Sequence, residues 1–286
     1  MMEFIKDNIA LSIVLLCLAL GFIVLLAWII WSNKAIMLER VSIKSKAKLK
    51  IIHISDFHNA SFKNNNEEPL RLIREASPDI IAISGDFIDS RHTSLKKAFD
   101  FATELVKIAP CFYAPGNHES RMPEEYARLC EEFERLGITV LQDERTVFEK
   151  DGTTYTIIGV EDPMFVIKKK DSREKVKIII KDKLEALMQG AESPTIVISH
   201  RPEAFYSYVD VGADIVLTGH AHGGQVQIPF IGGLIAPNQG FFPKYTSGVH
   251  FAKGTNMVVS RGIGNSLCPL RVNNRPQIIL VELEKE

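Results

Sequence analysis

Ala213-Asp214-Ile215-Val216-Leu217-Thr218-Gly219-His220-Ala221-His222-Gly223-Gly224-Gln225 is the stretch on which the reading of this chain turns. Its apolar run predicts a short buried strand that empties into a glycine-rich turn. Glycine tolerates backbone angles that other residues resist, so the turn lets both imidazoles bend into one cavity. Histidine is the commonest protein metal ligand, through a neutral ring nitrogen. Two ligands are too few for a site, and the chain supplies more.

Working outward, the same pattern recurs. Ile51-Ile52-His53-Ile54 runs into Ser55-Asp56-Phe57-His58, and Ile80-Ile81-Ala82-Ile83 into Gly85-Asp86-Phe87-Ile88-Asp89. Cys111-Phe112-Tyr113-Ala114 runs into Gly116-Asn117-His118-Glu119, and Thr195-Ile196-Val197-Ile198 into Ser199-His200. Ligand residues at strand C-terminal ends are where open α/β sheets place their sites. Taken singly, each is an ordinary helix cap or turn residue; their joint occurrence is not. Asp56, His58, Asp86, Asn117, His200, His220 and His222 mix imidazole with carboxylate and amide oxygen and include no thiolate. That set suits Mn, Fe or Zn better than Ca or a structural zinc. Seven ligands are too many for one tetrahedral ion but suit two ions sharing a carboxylate, a recurrent arrangement for phosphate ester hydrolysis. His53 reads as a satisfied core histidine, and His92 and His250 as surface or loop residues.

Between these strands the periodicity predicts helices from Pro69 to Ala76, after Thr93-Ser94 with Leu95, Ala98, Phe99, Ala102 and Leu105 on one face, and from Pro123 to Leu136 with Gly137 as its cap. The stretch 163–184, rich in Lys and Arg, reads as a solvated helical face, with a membrane- or phosphate-facing patch as the sharper alternative. With 286 residues, a net charge of −1 and a pI near 6.7, the chain has no global pull toward nucleic acid. Four dispersed cysteines without a C-x-x-C pair argue against a disulfide framework.

The N-terminus is of another kind. Residues 1–8 form a short tail, and residues 9–31 carry no charged side chain, long enough for a transmembrane anchor. Trp28 and Trp31 fit an interfacial aromatic belt. Residues 32–48 read as a basic juxtamembrane linker, and residues 49–286 as the catalytic domain. Lys34, Arg40, Lys44, Lys46, Lys48 and Lys50 on the C-terminal flank lean the domain toward the cytoplasm of a single-pass protein by the positive-inside rule. Partners expected from these features are the lipid bilayer and a phosphoester substrate, with nucleic acid disfavoured.

Asp56-x-His58, Gly85-Asp86-x-x-Asp89, Gly116-Asn117-His118-Glu119, Ser199-His200 and Gly219-His220-x-His222 resemble, in order and spacing, the calcineurin-like metallophosphoesterase superfamily. Gly223-Gly224-Gln225-Val226 and Val259-Ser260-Arg261-Gly262-Ile263-Gly264 look like its membrane-associated YkuE/YaeI-type branch. The resemblance implies an α/β (α+β) fold, a four-layer α/β/β/α sandwich preceded by the transmembrane helix. It also implies two divalent ions, Mn favoured and Fe or Zn next. Asp56, His58 and His222 would hold the first ion, Asn117, His200 and His220 the second, and Asp86 would bridge them around a hydroxide. His118 would face the substrate as a catalytic group, oriented by Asp89. Arg261 and Arg271 are candidate phosphate contacts. Phosphatase relatives carry Arg-Gly after the second aspartate, whereas Ser90-Arg91 stands here. The implied activity is hydrolysis of a phosphodiester, pyrophosphate or phosphomonoester bond, with a nucleotide-sugar among the substrates; the anchor and the apolar loop 226–248, the expected seat of an acyl or prenyl portion, add a lipid-linked substrate to that expectation. The alternatives are a non-catalytic membrane scaffold and a nucleic-acid phosphodiesterase.

Overall fold

The computed structural model describes residues 9–167, 173–265 and 271–285, apart from the side chains of residues 63–65. The 1–8 tail, part of the basic stretch 163–184 and Cys268 lie outside the described residues. The chain opens with helix α1 (Ile9–Lys34), followed by strands β1 (Met37–Ser45) and β2 (Leu49–Ile54). Helices α2 (Lys63–Ala76), α3 (Leu95–Leu105) and α4 (Pro123–Leu136) alternate with β3 (Ile80–Ser84), β4 (Cys111–Ala114) and β5 (Thr139–Val140). The second half adds β6 (Glu144–Lys150), β7 (Thr153–Gly159), α5 (Arg173–Leu187), β8 (Thr195–Ile198), α6 (Phe205–Asp210) and β9 (Ile215–Thr218). Two short hairpins follow, β10 (Gln227–Ile228) with β11 (Gly232–Gly233) and β12 (Ile235–Ala236) with β13 (Gly240–Phe241). Strands β14 (Gly248–Ala252), β15 (Thr255–Val259) and β16 (Gln277–Lys285) complete the sheets.

Two six-stranded mixed sheets result, ordered β1-β16-β2-β3-β4-β5 and β14-β15-β9-β8-β7-β6. Strand alternation explains the layering. In β3, Ile80 and Ala82 face the other sheet, where they meet Ile51, Ile196, Ile215, Leu217 and Val281 in one core. Ile81 and Ile83 face the opposite way, packing with Phe101, Leu105, Leu129 and Phe133 of α3 and α4. On the far side of the second sheet, Val176, Ile180 and Leu184 of α5 pack with Val197 and Val216. Strands buried on both faces read as continuous apolar runs, which is how β2, β3, β8 and β9 appear in the sequence. The arrangement is the α/β/β/α sandwich that the resemblance implied.

The basic linker expected at 32–48 takes a different form. Residues 37–45 form β1, paired in parallel along its whole length with β16. From Val41 to Lys50 buried and exposed residues alternate almost without a break: Val41, Ile43, Ala47 and Leu49 are buried, Ser42, Lys44, Lys46, Lys48 and Lys50 exposed. A period of two marks a half-buried strand. The lysines are its solvent face, and Lys44 pairs with Glu284 on β16 at 3.0 Å. The basic stretch continued into α5 is a solvated face where described: Lys177 pairs with Glu174, Lys181 with Asp210 and Lys183 with Asp143.

Helix α1 has 26 residues and is long and apolar enough to cross a membrane. Leu18, Phe22 and Val24 are each 60% exposed or more, so no protein core covers it. Its last turns dock on the domain. Asn33 Nδ2 donates to Arg271 O at 2.6 Å, Arg271 N–H donates back to Asn33 Oδ1 at 2.8 Å, and the Arg275 guanidinium lies over the Trp31 ring.

A buried carboxylate and imidazole centre

The site residues come from the C-terminal ends of β2, β3, β4, β8 and β9, so both sheets contribute. The loops after β2 and β3 are stitched together by Asp56 N–H to Gly85 O (3.1 Å) and His58 N–H to Asp86 O (3.0 Å). The second sheet joins through His220 N–H, which donates to Asp56 Oδ2 at 3.1 Å. Gly219 allows that approach. A Cβ there would lie 2.8 Å from Ser55 Cβ and closer still to its Oγ.

Asp56, His58, Asp86, His200, His220 and His222 converge, each 7% exposed or less. Three overlapping groups, Asp56/His58/His222, His58/Asp86/His118 and Asp86/His200/His220, have their ligand atoms within 4.8 Å of one another. Asp56 Oδ1 lies 3.2 Å from His222 Nε2 and 3.8 Å from His58 Nε2, and Asp86 Oδ2 lies 3.1 Å from His200 Nε2 and 3.7 Å from His58 Nε2. Asn117 joins them. Its side-chain amide faces His220, one terminal atom lying 2.8 Å from His220 Nδ1.

The backbone is strained to bring these groups in. Asp56, His58, Asp86, His220 and His222 all adopt positive φ, between 45° and 65°. Left-handed backbone costs a non-glycine residue roughly 1–2 kcal/mol, and such outliers collect at functional sites. A glycine would suit each of these angles better, so the side chain is what each position is for.

Charge and burial describe a cavity built for cations. His200 Nδ1 donates to Ser84 O at 2.7 Å, and because a carbonyl only accepts, Nε2 is the nitrogen left to face the carboxylates. Both ring nitrogens of His58, and His200 Nε2, are buried with no hydrogen-bond partner among the described residues. Burial pushes His58 down to about 3 and takes His220 and His222 well below the usual imidazole range, keeping all three neutral as ligation requires. Burial opposes a charge on His200 as well, but Asp86 and Asp56 outweigh it and raise it to about 10. Burial also raises Asp86, yet the imidazoles of His200 and His118 prevail and hold its carboxyl well below the ordinary range. Asp56 is pushed up to about 6, chiefly by burial. The donor set, all nitrogen and oxygen with orphaned imidazoles, fits divalent ions of the Mn, Fe and Zn kind.

Glu119, which the sequence marks only as the last residue of Gly116-Asn117-His118-Glu119, ties the site together. Fully buried, it accepts four backbone N–H groups: Phe87 and Ile88 on Oε1, Asp86 and Gly116 on Oε2. It therefore locks the loops after β3 and β4 to each other. Arg201 and Asp162 also went unforeseen. Their buried ion pair backs the site, with Arg201 Nη1 2.8 Å from His220 Nε2. No spacing rule marks such residues; Glu119 alone had a signal, in its contiguity with Asn117-His118.

The expected catalytic pair is arranged differently from expectation. His118 Nδ1 accepts from Ser90 N–H at 3.1 Å, while Asp89 Oδ1 lies 3.5 Å away. Asp89 is engaged by Arg91, whose Nε and Nη2 reach its two oxygens at 3.0 and 2.9 Å. Ser90, rather than Asp89, fixes the ring, with Nε2 turned inward 3.9 Å from Asp86 Oδ2. Arg271 also departs from its expected role. It is 1% exposed, and its guanidinium donates to Asn265 Oδ1, Arg261 O and Gly264 O, so it braces the backbone behind His222. Arg261 is half-buried, and its Nε has no hydrogen-bond partner among the described residues.

Residues 49–224, more than half of the chain, match the model of the calcineurin-like phosphoesterases. The chain belongs to the calcineurin-like phosphoesterase family. It is 28% identical over 244 residues to YkoQ of Bacillus subtilis, an uncharacterized metallophosphoesterase, covering 84% of this chain and 85% of that one. It is 28% identical over 246 residues to the phosphodiesterase YaeI of Escherichia coli, covering 83% of each. Among solved structures, TT1561 of Thermus thermophilus superposes with a TM-score of 0.52 at 15% identity, over 76% of this chain and 92% of that one, a likeness of fold. As a calcineurin-like phosphoesterase, the chain is a phosphoester hydrolase of a dimetal-dependent family.

Beside His58 the centre opens into a cavity of about 650 Å³. Its lining includes Ala60, Phe62, Ile263 and Gly264 and extends to Trp31, Asn33 and Lys34 at the end of α1. The loop 226–248, expected to seat an apolar substrate portion, contributes nothing to this lining.

Proposed function

We propose that the chain is a membrane-anchored phosphoesterase that binds two divalent ions, Mn favoured and Fe or Zn next, and hydrolyses phosphodiester or pyrophosphate bonds. The observation that carries this reading is the buried cluster of two carboxylates and four imidazoles, with orphaned ring nitrogens, opening into a cavity that ends at the apolar helix. Asp56, His58 and His222 would hold one ion, Asn117, His200 and His220 the other, with Asp86 between them. Bound there, the ions supply Lewis acidity toward the phosphoryl oxygens and lower the pKa of an attacking water.

The chain's own residues do the rest. Ser90 N–H on Nδ1 selects the His118 tautomer with its proton on Nε2. Burial lowers the His118 pKa against the pull of Asp86, so near neutral pH the ring is uncharged and offers Nε2–H as a hydrogen-bond donor to the substrate. Glu119 and Arg201 hold the loops and the His220 ring in place. A lipid-linked substrate is the finer reading, because the cavity joins His58 to Trp31 and Lys34, where an amphiphile's headgroup would leave the bilayer. The flanking lysines favour a cytoplasmic domain.

The test uses the full chain in detergent with added Mn and bis-p-nitrophenyl phosphate. Asp86→Ala should abolish hydrolysis while leaving a folded protein by circular dichroism. Wild-type turnover in that variant would remove the shared-carboxylate centre, whereas no Mn-dependent turnover by the unaltered chain would favour the non-catalytic scaffold. Lipid phosphoesters left intact while soluble nucleotides turn over would remove the amphiphile reading alone.

A further inference from the structure

Charge is missing from one exposed stretch of the domain. From Gly223 to Pro243 there is no Asp, Glu, Lys, Arg or His, in a chain of which 24% is charged. The hairpins β10–β11 and β12–β13 lie in this stretch, and their apolar side chains face outward. Phe230, at the tip of the first, is fully exposed, and Ile231 beside it is 64% exposed. In the second, Ile235 pairs directly with Phe241, which puts both on one face, and Phe242 adjoins them. Phe241 and Phe242 are 71% and 63% exposed. Phe230 and Phe242 hold positive φ of 68° and 49°, an unfavourable backbone for a bulky residue. An exposed apolar patch built on strained backbone marks an interaction surface rather than an ordinary loop.

The position of the hairpins says what covers them. Gln227 N–H, at the base of β10, donates to Val272 O at 2.9 Å, and Val272 N–H donates to Gln225 O. Its neighbour Arg271 exchanges hydrogen bonds with Asn33, in the last turn of α1. The patch therefore springs from the same end of the domain as the apolar helix. Cations adjoin both contacts: Lys34 closes the helix, Arg275 covers Trp31, and Lys244 follows the uncharged stretch and rests against the rings of Tyr206 and Tyr245. Apolar tips backed by cations and aromatic rings match the apolar-to-headgroup gradient of a bilayer surface.

We propose that the two hairpins are a second membrane contact, with Phe230, Ile231, Phe241 and Phe242 entering the interfacial layer of the bilayer that α1 spans. The inference rests on the reading of α1 as a membrane anchor. Helix and hairpins together hold the domain at two points, which fixes its rotation about the helix axis. His222, Gly223 and Gly224 lead straight into β10, so the same contact keeps the mouth of the phosphoesterase centre against the lipid surface. The substrate class that this geometry serves is a phosphoester amphiphile resident in that bilayer.

The experiment uses the full chain in phosphatidylcholine vesicles containing phosphatidylglycerol, with or without lipids brominated along the acyl chain. The chain has two tryptophans, Trp28 and Trp31, so Trp28→Phe/Trp31→Phe gives a silent background. Phe230→Trp in that background should lose at least half its fluorescence to the brominated lipid, while Glu132→Trp on α4 should lose none. Ile231→Trp repeats the measurement should the first variant fail to fold, and far-ultraviolet circular dichroism reports folding in each. An unquenched Phe230→Trp probe, alongside quenched native tryptophans in the unmodified chain, would overturn the hairpin contact and leave the anchor standing. Unquenched native tryptophans and a chain that fails to float with vesicles would overturn the anchor itself. A Phe230→Trp probe shielded from iodide but untouched by brominated lipid would assign the patch to a second copy of the chain and overturn the proposal.

Discussion

Gly116→Ala tests the geometry of the centre without altering any proposed ligand. A Cβ at this position would stand 2.5 Å from Asp86 N and 3.0 Å from Asp86 Cγ, and closer still to Oδ1. The backbone nitrogen is about 0.5 Å inside the 3.0 Å that real Cβ atoms respect, so main chain must move. It cannot move freely, because Glu119 Oε2 accepts both Asp86 N–H at 3.0 Å and Gly116 N–H at 2.9 Å. The overlap either breaks that double hold or pushes the Asp86 carboxylate off its position. Forcing an extra methyl into a packed site costs about 1–3 kcal/mol. At roughly 2–4 °C per kcal/mol, Tm should fall by about 5 °C. A catalytic group misplaced by 1 Å costs on the order of 100-fold in rate, so a half-ångström shift should lower kcat/KM by roughly 10- to 100-fold. The assays are Mn-dependent hydrolysis of bis-p-nitrophenyl phosphate, metal content by mass spectrometry, and thermal melts with and without chelator. Chelator should narrow the Tm gap between variant and wild type, since part of the loss is lost metal binding. Wild-type Tm, metal content and rate together would refute the claim that the two loops are locked around Asp86.

Other consequences reach beyond the centre. His53 sits fully buried against Ser84 Oγ, and burial lowers its pKa to about 3. The unfolded chain takes up this proton below pH 6.5 and the folded chain does not until about 3, so stability is present above 6.5 and lost as pH falls. By pH 5 the loss is about 2 kcal/mol, and urea titrations of His53→Gln should show a decrement between pH 7 and pH 5 smaller by that amount. An equal decrement would mean that His53 is protonated in the fold. Removing Arg201 leaves Asp162 buried without its partner, so Arg201→Met should cost about 3–5 kcal/mol, of which Asp162→Asn in the same chain restores part. Calorimetric titration with Mn should also show about 10- to 100-fold weaker binding, because the His220 ring loses its neighbour; unchanged affinity would detach Arg201 from the centre. Finally, a chain beginning at residue 46 should be less soluble and melt lower than one beginning at residue 36. It lacks β1, its buried Val41 and Ile43, and the cover on the edge of β16. Identical melts would return residues 37–45 to the role of a linker.

Much of this protein was legible as a string. Apolar runs of four or five residues ending in Asp, Asn or His marked β2, β3, β4, β8 and β9 and the residues at their ends, because a strand buried on both faces has no polar alternation to obscure it. The uncharged run before residue 32 marked α1 by length and composition alone. The basic stretch before residue 50 was misleading, since its lysines were counted as charge when their spacing of two belonged to a strand. Local patterns of that kind depend only on neighbours along the chain. Glu119 under four N–H groups, Arg201 behind His220, Ser90 in place of Asp89 against His118, and Arg271 turned to the backbone depend on which loops meet across the two sheets. Those meetings are set by packing between residues as far apart as Asp56 and His220, and a buried polar group's role follows from the partners that packing leaves it.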